Sequence, residues 1–242
     1  MRAALLVFRQ FLLVCISAAT ACSVSPAMAG GLQIAPVSLT LQSAQNADGI
    51  WLSNEGDAPL NAQVRVWHWT QSGYSDKLAA AQGLVISPPM LSLAPGQKQL
   101  VRVIRIGPSV GNVEDAWRLS VDELPPAKPV KNQLQFVMRY SVPVFVQPAG
   151  LAGAEPRLQW RLVQADGRTF IEVSNQGTSH AQLAGATFIN DRGARKVISS
   201  GLLGYVLPGA TMRWIIPAAV GDARHGGKVE VMINGQKTVQ NL

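Results

Sequence analysis

Beyond residue 30 the chain alternates apolar and polar positions with a period of two, broken about every eight to twelve residues by turn-forming residues. That period belongs to strands with one buried face, so the chain reads as all-β. Leu32 and Ile34 share one parity, whereas Val37, Leu39 and Leu41 share the other, which predicts a bend or crossover at Pro36. Ile50-Trp51-Leu52 is bounded by Asp48-Gly49 and Asn54-Glu55-Gly56-Asp57, residues that adopt turn conformations at little cost. Residues 62–69 read as another strand. Residues 100–106 follow the turn at Ser92-Leu93-Ala94-Pro95-Gly96-Gln97 and are apolar on both faces, as a central strand is. The strand over 116–124 is stopped by Pro125-Pro126, which cannot donate to a ladder.

The segment from Asn132 to Pro148 is expected to be the longest strand. Leu134, Phe136, Met138, Tyr140, Val142, Val144 and Val146 share one parity, and the opposite face is far more polar. Small and Pro-bounded residues over 149–156 read as a linker. It separates a first domain over 30–148 from a second over 157–242, each within the size range of an immunoglobulin-like sandwich. In the second, Asp166-Gly167 and Asn234-Gly235 sit between apolar runs and signal hairpins. No internal repeat aligns by eye.

Residues 1–29 have the form of a cleaved signal peptide: Arg2 and Arg9, an apolar stretch around Leu12, Leu13, Val14 and Ile16, then Ala27-Met28-Ala29. A lipoprotein signal ending at Cys22 is the weaker alternative, because the large aliphatic residue expected three positions upstream is missing. The only two cysteines, Cys15 and Cys22, lie in this segment, so after cleavage no disulfide is available. No later stretch is apolar for long enough to span a bilayer as a helix. The expectation is an exported protein with no stable membrane insertion. A net charge of +7 without any long run of like charge gives no footprint for nucleic acid.

Catalytic chemistry finds no home in the sequence. His68, His180 and His225 fall on different elements without metal-ligand spacing, and no cofactor motif appears. The Gly221–Lys228 stretch lacks the first glycine and the final hydroxyl of a phosphate loop. Asp122 and Glu123 are adjacent, so on a strand they face opposite ways. The expectation is a non-enzyme without metal or cofactor. Six tryptophans, Trp51, Trp67, Trp69, Trp117, Trp160 and Trp214, keep open a rival reading as a secreted carbohydrate-binding or adhesin-type module, although each also suits a sandwich core.

The residues Ser87-Pro88-Pro89-Met90, Leu93-Ala94-Pro95-Gly96-Gln97, Val121-Asp122-Glu123-Leu124-Pro125-Pro126, Arg139-Tyr140-Ser141-Val142-Pro143-Val144-Phe145-Val146 and Gly204-Tyr205-Val206-Leu207-Pro208-Gly209-Ala210 come in a telling order. In this order and spacing the chain resembles the periplasmic pilus chaperones of the chaperone–usher family, most of all its archaic branch. The resemblance implies two immunoglobulin-like domains in a boomerang arrangement, a periplasmic location, pilin subunits as clients and an outer-membrane usher as the receiving partner. It also implies that Leu134, Phe136 and Met138 enter a client's groove as a donor strand, with Tyr140 either extending the row or belonging to the protein's own core. A self-capping homodimer is open to such a strand. Better-known members grip the client's terminal carboxylate with an arginine on the first strand and a lysine on the last strand of domain one. Ser38 and Pro143 stand near those positions here. Arg102 and Arg139, cations on otherwise apolar strands, are the candidate replacements, unless they face solvent or pair with Asp122 or Glu123.

Overall fold

The computed structural model describes residues 31–107, 111–125, 136–148, 153–216 and 226–242. Its regular structure is entirely β. The first half holds β1 (Leu32–Ala35), β2 (Leu39–Leu41), β3 (Ala47–Asn54), β4 (Leu60–Ser72), β5 (Ser75–Ala80), β6 (Leu84–Ser87), β7 (Met90–Leu93), β8 (Lys98–Arg105), β9 (Asp115–Leu124) and β10 (Arg139–Val146). The second holds β11 (Leu158–Ala165), β12 (Arg168–Asn175), β13 (Ala181–Asn190), β14 (Arg195–Val197), β15 (Leu202–Val206), β16 (Thr211–Ile215), β17 (Gly227–Ile233) and β18 (Gln236–Asn241).

Strands up to β10 form two sheets, in the orders β1-β3-β8-β6 and β2-β10-β9-β4-β5, with β7 beside β4. The remaining strands form two more, β11-β12-β16 and β14-β13-β17-β18, with β15 beside β13. Among the described residues no ladder crosses between the halves. The parity change at Pro36 is a change of sheet: β1 pairs with β3 in one layer, and β2 runs parallel to β10 in the other. Strand β8 has a partner on each side, the central place expected of it. The first core fills the space between the layers with Leu32, Leu41, Ile50, Leu52, Val101, Val103, Leu119, Val121, Val142 and Val144.

Both expected hairpins form. Asp166-Gly167 and Asn234-Gly235 carry positive φ at both turn positions, the geometry that matches strand twist in a two-residue loop. A third hairpin, β4 to β5, turns the same way at Gly73-Tyr74, with φ of 58° and 62°. Sequence gave no sign of it, because a tyrosine is an unusual occupant of the left-handed region.

Two expectations need correction. The longest strand is β4, with 13 residues; β10 begins only at Arg139 and has 8. Proline ends β9 after Leu124, so β9 can face the chain before Arg139 for only two residues, and of these Met138 alone keeps a backbone bond to it. The second correction concerns repeats. Ser53-Asn54-Glu55-Gly56 and Ser174-Asn175-Gln176-Gly177 occupy equivalent places at the ends of β3 and β12. Buried Asn54 donates to the carbonyls of Ala58 and Leu93 and accepts from the Gly56 amide. Buried Asn175 does the same with Ser179, Val206 and Gly177, and accepts also from Arg157.

Candidate functional site

Strand β10 is the axis of the site, and its two ends differ. From Val142 to Val146 every side chain is buried, and β2 and β9 flank it. Toward the N-terminus the partners run out. Strand β2 is in register only with Val144, Phe145 and Val146, so among the described residues the second edge of residues 139–142 has no ladder partner. The last link to β9 is at Met138. Its carbonyl accepts from the Glu123 amide at 2.9 Å, and its amide donates to Glu123 Oε2 at 3.2 Å. Beyond it Phe136 is 71% exposed, Val137 48% and Met138 38%.

Three adjacent exposed apolar side chains beside a free strand edge form a surface that solvated proteins ordinarily cover. Leu134 lies outside the described residues. Tyr140 belongs to the anchored end: it packs against the first core, and its hydroxyl donates to the Leu32 carbonyl at 2.7 Å. The free row therefore ends at Met138 and does not extend to Tyr140.

The opposite face of this sheet turns toward the second sandwich and carries a succession of polar and aromatic side chains set by the register. Asp122 accepts from Arg65 at 2.6 Å and from Arg139 on the neighbouring strand. Burial alone would raise the pKa of Asp122, but the hydrogen bonds from Arg65 and Arg139 outweigh it and hold the carboxyl below the usual range. Next along β9, Ser120 accepts from Trp67 Nε1 at 3.1 Å.

Arg118 follows, and its register partner on β10 is Pro143. The Arg118 side chain is only 16% exposed. Its guanidinium lies 3.7 Å from the centre of the Trp69 ring and 5.5 Å from that of Tyr205, a residue of the second sandwich. Its polar contacts are long: Nη1 to Ser141 Oγ at 3.3 Å, and Nη2 to the Asp76 carboxylate at 3.6 Å. Burial pulls its pKa below the usual arginine value, against the opposing pull of Asp76 and Tyr205. A guanidinium has five donors in a fork suited to a carboxylate, and this one is desolvated without a close anion.

Around Arg118 the two sandwiches meet. Trp69, Ala116 and Phe145 of the first half are part of the second core. Phe145 stacks flat on His180 at 3.5 Å, and Glu114 accepts from both the amide and Nδ1 of His180. Gln71 bridges the halves as a strand would, donating to the Tyr205 carbonyl at 3.0 Å and accepting from the Leu207 amide at 2.9 Å. Arg213 of β16 lies over Tyr74 at the β4–β5 turn, 4.2 Å from the ring centre.

The other residues singled out in the sequence fall elsewhere. Arg102 stands on the exposed face of β8 between buried Val101 and Val103, in the sheet remote from β10. Arg139 is paired with Asp122. Trp69 and Trp117 are buried, and Trp160 and Trp214 pack against the second core. Trp67 donates to Ser120, and the more exposed Trp51 is faced by the Lys98 ammonium at 4.7 Å. No group of residues suited to hold a metal occurs among the described residues. Sequence reasoning missed Arg118 and Gln71. Arg118 alternates with Trp117 and Leu119 much as Arg102 alternates with Val101 and Val103, and only the register across β9 and β10 tells them apart.

Comparison with known proteins agrees with this arrangement. Residues 31–152 match the family described as pili and flagellar-assembly chaperone, PapD N-terminal domain. Chaperone protein PmfD of Proteus mirabilis is 27% identical over 135 residues, covering 54% of this chain and 51% of the relative. Chaperone protein FimB/FhaD of Bordetella pertussis is 27% identical over 146 residues, covering 57% and 59%. The chain thus spans about half the length of the curated relatives it matches. A chain of the CsuC–CsuE chaperone–tip adhesion subunit pre-assembly complex, from the archaic chaperone–usher Csu pili of Acinetobacter baumannii, superposes with a TM-score of 0.70 at 23% identity. That match covers 87% of this chain and 97% of the other, so the likeness in fold extends over both sandwiches. With an immunoglobulin-like fold in each half, a free edge beside Phe136 and a family match that takes in the whole first sandwich, the chain belongs to the pili and flagellar-assembly chaperones.

Proposed function

We propose that this protein is a periplasmic chaperone that captures pilin subunits by lending them a β-strand, keeps them from aggregating and delivers them to an outer-membrane usher. The observation that carries the reading is the free edge of β10 continued by exposed Phe136, Val137 and Met138. Donor-strand complementation is a known mode of recognition by strand addition, in which backbone bonds give direction and alternate side chains fill pockets. An incomplete guest sheet supplies the missing partner on both counts. Each backbone hydrogen bond contributes roughly 0.5–1.5 kcal/mol net. Each apolar side chain fully buried in the guest's groove adds about 1.5–3 kcal/mol. Burial of Leu134, Phe136 and Met138 therefore supplies most of the affinity, and the ladder sets the register. Nothing in this cycle requires a cofactor or a catalytic residue.

The reading also takes Arg118 as the cation that holds the guest's terminal carboxylate, in preference to Arg102 and Arg139. Its support is positional. Pro143 stands near the position where better-known relatives carry a lysine, and the register partner of Pro143 is Arg118. Arg102 belongs to the other sheet, and the charge of Arg139 is already met by Asp122.

Phe136→Asp tests the central claim, because it places a charge in the groove contact while touching no core residue. The expected result is loss of co-purifying pilin from a periplasmic extract, with the variant's melting midpoint within a few degrees of the parent. Normal pilin recovery would overturn the reading.

A further inference from the structure

We propose that Asp76 is a built-in stand-in for the guest's carboxylate, which occupies the cleft cation of the free chaperone and must give way when a subunit docks. This inference rests on the reading of Arg118 as the carboxylate anchor. Asp76 lies on β5, the outermost strand of its sheet, opposite Gln71 of β4. Its two oxygens do different things. Oδ1 accepts from Gln71 Nε2 at 2.9 Å, a full hydrogen bond. Oδ2 comes no nearer to Arg118 Nη2 than 3.6 Å.

The Asp76 pair is therefore placed to be displaced. Its separation is beyond hydrogen-bond range, and the Asp76 side chain is 46% exposed, so water screens it and readily takes over its solvation. A terminal carboxylate arriving along β10 can approach the same guanidinium closely and with two parallel bonds. The weak internal partner offsets part of the cost of keeping a buried cation, yet surrenders it to a better one.

Asp76 also reaches the junction of the two sandwiches. The Gln71 amide that donates to Asp76 donates as well to the Tyr205 carbonyl, and its oxygen accepts from the Leu207 amide. The carboxylate thus shares the Gln71 amide with the bridge and reinforces the way it points. One side chain connects the anion site to the bridge between the sandwiches, and Asp76→Asn preserves the acceptor for Gln71 while removing the charge that competes at Arg118.

The test compares the full chain with its D76N and R118Q variants. The probes are an acetylated Val-Thr-Val-Thr-Val peptide ending in a free carboxylate and the same peptide ending in a carboxamide. Binding is followed by calorimetry and by tryptophan emission, since Trp69 lies beneath Arg118. The expected result is that D76N binds the carboxylate form about three- to fivefold more tightly than the parent, the range of an exposed ion pair removed from competition. It binds the carboxamide form unchanged. Equal or weaker binding of the carboxylate form by D76N would overturn the stand-in and leave Arg118 as the anchor. If R118Q prefers the carboxylate form as strongly as the parent does, or if the parent and D76N bind neither peptide, the anchor itself fails and the stand-in with it.

Discussion

The two sandwiches close around the same device and differ in what they leave open. In each, a buried asparagine at the end of a strand satisfies two carbonyls and a glycine amide two residues on, and pairs its own backbone with a Pro-Gly turn. Asn54 exchanges backbone bonds with Gly96 and Gln97, and Asn175 with Gly209 and Ala210. The second sandwich then finishes its longer sheet with the tight β17–β18 hairpin. The first finishes β10 with a partner on only part of its length, and carries Phe136, Val137 and Met138 beyond it in solvent. The shared latch secures the fold. The difference at the edge is where the proposed binding resides, because an unpaired strand is a hazard unless a partner is meant to use it.

The largest expected effect comes from breaking the latches. Asn54→Ala strands the buried Leu93 carbonyl, worth roughly 1–3 kcal/mol when unsatisfied, and removes two part-buried bonds to the Ala58 carbonyl and the Gly56 amide, so a loss of about 2–4 kcal/mol is expected in urea unfolding. Asn175→Ala should lose at least as much, since Asn175 also accepts from Arg157. A difference in the opposite sense would show that the two latches are not equivalent.

A smaller effect marks the point where the free end of the first sandwich becomes the anchored one. Tyr140→Phe removes only the hydroxyl bond to Leu32, so the stability should fall by about 0.5–1.5 kcal/mol with subunit capture retained. Loss of capture with unchanged stability would move Tyr140 into the donor row.

The smallest effect concerns acid. The carboxyl of Asp122 is held below its usual pKa by Arg65 and Arg139, despite its burial. A group with a depressed folded pKa stabilises the fold above its unfolded value, about pH 4, and loses that contribution as the pH falls through the folded one. Both arginines are largely solvated, so the contribution should stay under about 1 kcal/mol. Asp122→Asn should flatten the stability profile below about pH 4 by that amount, measured by denaturant midpoints across the acid range.

Much of this protein was legible in its sequence. Alternation at period two, prolines after Leu124 and Asp-Gly or Asn-Gly between apolar runs are local signals, and local signals give most strands, the end of β9 and the two hairpins of the second sandwich. The parity break at Pro36 announced the crossover between sheets. The greasy parity of residues 134–146 showed that one face of this segment meets something apolar, yet not where its own core ends and a guest begins. That limit depends on Leu32, more than a hundred residues away, whose carbonyl claims Tyr140.

The cleft cation was less legible for the same reason. Arg102, Arg118 and Arg139 look alike along the chain, each a charge within an apolar strand. Register across β9, β10 and β4 sorts them into a solvated residue, a desolvated one stacked on Trp69 and Tyr205, and a partner of Asp122. The matching asparagines, too, became visible only in space, because four similar residues in each half are too few to align without the latch they form. The sequence alone thus determined the β class, most of the strands and the segment proposed to carry a guest-facing row. Tertiary structure decided which edge stays open, which arginine is buried and how the halves join, because each follows from pairing between residues far apart in the chain.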